Sequence, residues 1–278
     1  VKRRALLTAA FAASVPGAVR AARSDAANRT VMRAFVELFY VRRDVRAAFT
    51  RFVVPGYIQH NPGIADGRAA AVAALTPMFA RPGAEFDVKH LLVDGDLALV
   101  HLFGRHAPGT PGAAVADLYR LRNGRIVEHW DVIQPIAPGT DPLAAAPVAA
   151  AGTDDTRTNR AVIAGFIDLM FRRKQVAAAF NTFVAPDLIQ HNAALGQGRA
   201  GSIAALAPMF ARPSASFEIR HILVDGDLAA VHYHGHIDPN HAGAAVMEIF
   251  RLSNGRIVEH WDMFQPVPPA GVNPHPMF

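Results

Sequence analysis

The stretch Asn123-Gly124-Arg125-Ile126-Val127-Glu128-His129-Trp130-Asp131 returns unchanged as Asn254 to Asp262, 131 positions later. The same offset places Ile58-Gln59-His60-Asn61 on Ile189-Gln190-His191-Asn192 and Leu92–Ala98 on Leu223–Ala229. From Asn28 to Pro135 the two stretches align without a gap, and 60 of 108 positions are identical. Solenoid units repeat every 20 to 50 residues or so, whereas this period is the size of a domain. The chain is therefore a tandem duplication, with copy 1 over 24–137 and copy 2 over 157–268. The Ala-, Pro-, Gly- and Thr-rich stretch 138–156 reads as a linker, and the proline-rich end 269–278 as an irregular tail.

Each copy changes periodicity midway. Val31, Phe35, Leu38 and Phe39 recur at helical spacing, a shorter helix with Val45, Phe49 and Phe52 inward follows, and Pro55 closes it. Arg68 to Phe79 is Ala-rich and helical. From Phe86 the period becomes two. Asp94-Gly95 and Asn123-Gly124 are two-residue hairpin signals. A turn at Asp94-Gly95 sets Leu92 opposite Leu97 and Val88 opposite His101, so that Phe86, Val88, His90, Leu99, His101 and Phe103 share a face. A turn at Asn123-Gly124 sets Asp117 opposite Trp130 and leaves Leu118, His129 and Asp131 on the other face, unless a bulge intervenes. The expected unit is three helices and a four-stranded antiparallel meander, with an acid and histidines facing an apolar hollow.

Composition narrows the chemistry. The chain of 278 residues has no cysteine, which excludes disulfides, thiolate nucleophiles and Cys-ligated metals. Residues 1–22, with Lys2-Arg3-Arg4 ahead of an uncharged run, read as an export leader of twin-arginine or Sec type, which implies a periplasmic or extracellular protein. Lys2, Arg3, Arg4 and Arg20 supply four of the net +5 charges, and the remaining Arg residues are dispersed. Nucleic acid is not an expected partner, nor is a membrane beyond the leader. No phosphate-binding glycine loop or GxSxG elbow occurs.

Tyr57-Ile-Gln-His-Asn-Pro62, the Asp94-Gly-Asp96 hairpin, Asp117-Leu-Tyr-Arg-Leu121 and the NGRIVEHWD block resemble SnoaL-like proteins of the nuclear transport factor 2 superfamily. The resemblance covers nearly all of both copies and is similar in detail to the polyketide-cyclase and aldol-condensation types. It implies an α+β fold of two cystatin-like cone domains, each with three helices against a curved antiparallel sheet. It also implies an intramolecular pseudo-dimer formed through the open sheet faces.

By position, the resemblance places the catalytic acid/base at Asp117 with His101 beside it, and at Glu248 with His232 in copy 2. The exchange of Asp for Glu moves that carboxylate outward by one methylene. His60, Asn61, His90 and Trp130, with their counterparts His191, Asn192, His221 and Trp261, are expected to bind the ligand, a small, mainly apolar carbonyl compound. A carboxylate in an apolar hollow gains basicity by desolvation, as aldol-type cyclisation or isomerisation requires, without any cofactor. Each residue also has a plainer use: Asp117 as an exposed strand residue paired with Arg120 or Arg122, His60-Asn61 as a tie within a turn, His101 and Trp130 as packing. A non-catalytic ligand-binding module or a hydrolase on the same fold are the alternatives. His232, His234 and His236 alternate along one strand, but their spacing matches no recognised ligand motif, so no metal is expected.

Overall fold

The computed structural model describes residues 16–143 and 156–278. Residues 1–15 of the expected leader and most of the linker lie outside the described residues, and the leader's last residues, from Pro16, form the start of the first helix. In copy 1, helix α1 (Pro16–Val36) ends in a π-helical turn, Glu37–Val41, followed by α2 (Val45–Phe52), β1 (Val53–Gln59), α3 (Arg68–Phe79), β2 (Glu85–Asp94), β3 (Leu97–Arg105), β4 (Ala113–Arg122) and β5 (Arg125–Pro135). Copy 2 repeats this order as α4 (Thr156–Ile167) with the turn Asp168–Arg172, α5 (Val176–Phe183), β6 (Val184–Gln190), α6 (Gly198–Phe210), β7 (Ser216–Asp225), β8 (Leu228–His236), β9 (Ala244–Ser253) and β10 (Arg256–Pro266).

The sheets depart from expectation. Each has five strands, ordered β1-β5-β4-β3-β2 and β6-β10-β9-β8-β7. The added strand β1 runs parallel to β5, so the sheet is mixed. Pro55 does not merely end a helix: it sits in β1, an edge strand, where a missing N–H is tolerated. The expected curved antiparallel cone is corrected accordingly: each copy is an open mixed sheet with two edges and helices packed against it.

Register is the second correction. The first hairpin turns at Gly95-Asp96, with Gly95 at φ +62°, one residue later than expected. His90 therefore faces His101, and Leu92 faces Leu99. In β5, Leu121 pairs with Ile126 but Arg120 pairs with Glu128, so Val127 is an extra residue. Beyond it Asp117 lies opposite Asp131, Tyr119 opposite His129 and Leu118 opposite Trp130. A one-residue slip reverses the face of every side chain that follows.

One face of each sheet carries its helices, and the other meets the opposite copy. Phe35, Phe49, Val100 and Tyr119 are buried under the helices of copy 1. Leu92, Leu99, Leu118 and Trp130 pack instead against Leu223, Met247, Ile249 and Trp261. Polar ties across this contact are reciprocal. Val93 N–H donates to Asp225 and Val224 N–H to Asp94, each at 2.9 Å. Ile133 N–H donates to Gln265 at 2.8 Å and Phe264 N–H to Gln134 at 2.9 Å. Matching residues exchanging places is the signature of a twofold contact, here made within one chain. The tandem copies form an intramolecular pseudo-dimer. A half-exposed pair such as Arg160–Asp94 contributes about 0–1 kcal/mol. Each fully buried leucine contributes about 1.5–3 kcal/mol, so the apolar patch holds the copies together.

Two histidine pairs flank that patch. His90 Nε2 accepts from Arg251 at 3.4 Å, which leaves its Nδ1–H to donate to His101 Nδ1 at 3.0 Å. Arg120, His221 and His232 repeat this, at 3.2 and 3.1 Å. Burial first, and then the charge of Arg251 or Arg120, pushes His90 and His221 down to about 4. A histidine that is neutral when folded but protonates near 6.5 when unfolded costs stability as pH falls through that interval. The melting temperature is therefore predicted to fall between pH 6.5 and about 4 less steeply in the double variant His90→Asn/His221→Asn than in the wild type, as scanning calorimetry would measure.

Candidate active site

The sheet face under the helices of copy 1 holds a cavity of about 380 Å³. Phe39, Phe49, Leu75, Phe79, Phe86 and Leu102 make it largely apolar, and one end is polar. The π-helical turn matters for this lining, because its extra residue turns both Phe39 and Tyr40 inward. Tyr57 and Gln59 come from β1, Asn61 from the loop after it, Asp117 and Tyr119 from β4, and His129 and Asp131 from β5.

Hydrogen bonds fix the proton positions at the polar end. Gln59 Oε1 accepts the Asn61 N–H at 2.8 Å and also lies 2.9 Å from His129 Nδ1, so Nδ1 is a donor. His129 Nε2 lies 2.9 Å from Asp117 Oδ1. Tyr40 donates to Asp117 Oδ2 at 2.6 Å, and Tyr119, 2.6 Å from Tyr40, donates to the Tyr40 oxygen. Both oxygens of Asp117 thus have a partner. Those of Asp131 do not: Oδ2 accepts from Asn61 Nδ2, while Oδ1 is buried with no hydrogen-bond partner. Burial, opposed by His129 and reinforced by the charge of Asp117, lifts Asp131 to about 6. Burial disfavours the charged form of His129, but the Asp117 hydrogen bond and the two carboxylates outweigh it and raise its pKa. Tyr57 is pushed well above its usual range by burial and by Asp117, so it keeps its proton.

The structure separates the residues expected to act together. Asp117 and Asn61 reach the cavity, and Glu248 and Asn192 occupy the matching places in copy 2. The other eight lie on the inter-copy side. His101 is not beside Asp117: it pairs with His90 on the opposite sheet face, as His232 does with His221. His60 is stacked on Trp130 and bonded to Glu128 at 3.0 Å, and His191 is stacked on Trp261 and bonded to Glu259 at 2.8 Å. For Trp130 the Val127 bulge is the cause, since it turns Trp130 and Glu128 outward and brings His129 and Asp131 in. His129, Asp131, Tyr40, Tyr57 and Gln59 were not among the expected site residues, although the EHWD block and the Tyr57-Ile-Gln stretch contained four of them.

Asp117, His129 and Asp131 are the one group of three among the described residues whose ligand atoms lie within 4.8 Å of one another. A cation there would have to displace the proton between His129 and Asp117, because Gln59 already occupies the other ring nitrogen. This bonding favours proton chemistry.

Copy 2 keeps the frame and loses the space. His260 still bridges Gln190 and Glu248, at 2.9 and 3.2 Å. Tyr40, Tyr57 and Tyr119 are replaced by Phe171, Leu188 and Phe250, and Leu102 becomes Tyr233, whose hydroxyl donates to Glu248 at 2.7 Å. About 20 Å³ remains, room for about one water.

The sequence pattern of the SnoaL-like domain family matches residues 32–129 and again 163–260. The chain belongs to that family, twice over. Among solved structures, it is similar to a nuclear transport factor 2-like protein of unknown function from Mesorhizobium loti, with 25% identity over 40% of this chain and 93% of that one, at a TM-score of 0.36. TsrD from Streptomyces laurentii shares 22% identity over 39% of this chain and 88% of its own, at 0.33. A suggested SnoaL-like polyketide cyclase from Jannaschia sp. CCS1 shares 24% over 40% and 87%, also at 0.33. No curated protein matches the chain.

Carbon-13 NMR of aspartate side chains is predicted to show one carboxyl titrating near 6 that disappears in Asp131→Asn. Titration of Asp131 near the ordinary 3.8 would mean that its carboxyl is solvated.

Proposed function

We propose that copy 1 catalyses cofactor-free proton transfer at the carbon next to a carbonyl group, in a small, mainly apolar compound, as in aldol-type cyclisation or isomerisation. The observation that carries this reading is Asp131, which lines the polar end of a roomy apolar cavity and whose buried Oδ1 has no hydrogen-bond partner. A carboxyl with a pKa of about 6 is mostly ionised at neutral pH yet more basic than one in water.

In the proposed step, Asp131 Oδ1 takes the α-proton and the C–H electron pair passes into the carbonyl, giving an enolate. The Tyr57 hydroxyl accepts from Gln59 at 3.3 Å and retains its own proton, so it can donate to the enolate oxygen. The enolate carbon then takes the proton back from Asp131 at another position, or attacks a second carbonyl carbon, whose oxygen receives it. His129 and Tyr40 occupy the two oxygens of Asp117, so that Asp131 is the carboxyl with an unpartnered oxygen. Copy 2 has no comparable space and serves as the partner half of the pseudo-dimer.

Exchange of the α-hydrogens of 2-tetralone in deuterated water, followed by proton NMR, tests the proposal. The wild type is expected to accelerate exchange, Asp131→Asn to lose about 100-fold or more, and Asp262→Asn to change little. Exchange by Asp131→Asn at the wild-type rate would remove Asp131 from the mechanism. Saturable 2-tetralone binding with no exchange would favour a non-catalytic binding module.

A further inference from the structure

The tail after β10 crosses to the other copy. Val272 N–H donates to the Pro62 carbonyl at 2.8 Å. Asn273 Nδ2 donates to the carbonyls of Asn61 and Ile64, at 2.6 and 2.8 Å, and Asn273 Oδ1 in turn accepts the His275 N–H at 3.0 Å. His275 Nε2 reaches Asp66 Oδ2 at 2.8 Å, and His60 Nδ1 donates to the Pro276 carbonyl at 2.6 Å. Met277 is buried in the inter-copy core, which anchors the end of the strap.

The five hydrogen bonds from the tail to copy 1 all fall on residues 60–66, the loop that leads into the polar end of the cavity. Asn61, gripped through its carbonyl, holds Asp131 through its side chain. Asp66, gripped by His275, accepts the Gln59 N–H at 2.9 Å through its other oxygen, and the Gln59 side chain holds His129. Slight burial raises Asp66, but the Gln59 N–H and His275 outweigh it and keep its carboxyl below the usual range.

The matching loop of copy 2 carries no such handle. Asp66 is replaced by Gln197, which closes on Gln190 with both ends of its amide, at 3.1 and 2.6 Å. Among the described residues, the loop that is strapped is that of the copy with the roomy cavity, and the strap is supplied by the copy without one.

We propose that Asn273 and His275 are positioning residues: from copy 2 they set the loop of copy 1, so that Asn61 and Gln59 hold Asp131 and His129 in their working geometry. The duplication then has a use beyond burying two sheet faces, because the second copy delivers the strap to the loop of the first. The catalytic part of this inference rests on the function proposed above; the geometric part does not.

The test uses the full chain with Asn273→Ala/His275→Ala and with His275→Gln, which keeps a donor for Asp66. Carbon-13 NMR follows the Asp131 carboxyl, and the 2-tetralone exchange assay follows kcat and KM. Loosening Asn61 weakens the hydrogen bond to the charged form of Asp131. Its titration is therefore expected to move up by about one pH unit in the double variant, and to stay near the wild-type value in His275→Gln. The same double variant is expected to lose about tenfold in kcat with KM little changed, and the acid limb of its pH–rate profile should shift upward with the carboxyl. A folded double variant whose Asp131 titrates as in the wild type would overturn the proposal. If the double variant does not fold, Asn273→Ala alone, with His275 and Met277 intact, must show the upward shift or the proposal fails. Because the NMR reading needs no substrate, a wild type without exchange activity would sink the catalytic reading and leave the strap to be judged separately.

Discussion

One extra residue in β5 decides what this protein can do. Val127 has no partner on β4, so the strand slips by one position between Ile126 and Glu128. Without that slip, Glu128 and Trp130 would point under the helices, and His129 and Asp131 would meet the other copy. With it, the acid and the imidazole enter the cavity, while the indole and Glu128 join the inter-copy contact. Copy 2 slips at the same place, between Ile257 and Glu259, and the outcome there is the same. Both the site and the pseudo-dimer rest on this local departure from regular pairing.

The two copies have diverged in different ways on their two faces: in the inter-copy core Leu99, Ala116 and Leu118 are exchanged for other apolar residues, Ala230, Met247 and Ile249, while its charged and indole contacts are kept. On the shared face, Trp130 and Trp261, Arg120 and Arg251, and Glu128 and Glu259 make matching sets of contacts. Under the helices, three tyrosines of copy 1 have become Phe171, Leu188 and Phe250, and Tyr233 has grown into the space. The three tyrosine replacements leave a packed core while each removes a hydroxyl from the polar end, and the hydroxyl that Tyr233 brings is spent on Glu248. Loss of those hydroxyls costs a packed domain little, since each apolar replacement needs no hydrogen-bond partner. It costs the site its donors. Copy 2 thereby remains a stable half of the dimer without a usable cavity.

Much of the fold was legible in the sequence. The 131-residue offset gave the two copies, and Asn123-Gly124 located its turn, where Asn123 and Gly124 both take positive φ. Strand β1 escaped notice because Pro55 read as the end of a helix. The site was less legible, for a physical reason. Period-two alternation assigns faces only while pairing is regular, and an unpaired valine looks like any other strand residue. Asp117 and Asn61 were found because no bulge separates them from the features that located them. His101 was set beside Asp117 because the resemblance fixes positions along strands and is blind to the face each side chain takes. The tail's part in the site had no sequence signal: Asn273 and His275 act across the fold on a loop more than two hundred residues away.

The central claim is that Asp131 and His129 face a ligand cavity in copy 1, with Asp131 offering a free oxygen. A crystal structure of the protein soaked with 2-naphthol, a flat phenol that mimics an enol, tests it most directly. The ring is expected in the cavity between Phe39 and Phe86, with its hydroxyl donating to Asp131 Oδ1. A structure in which Asp131 and His129 lie against copy 2, or in which naphthol binds elsewhere and leaves the cavity filled by side chains, would contradict it.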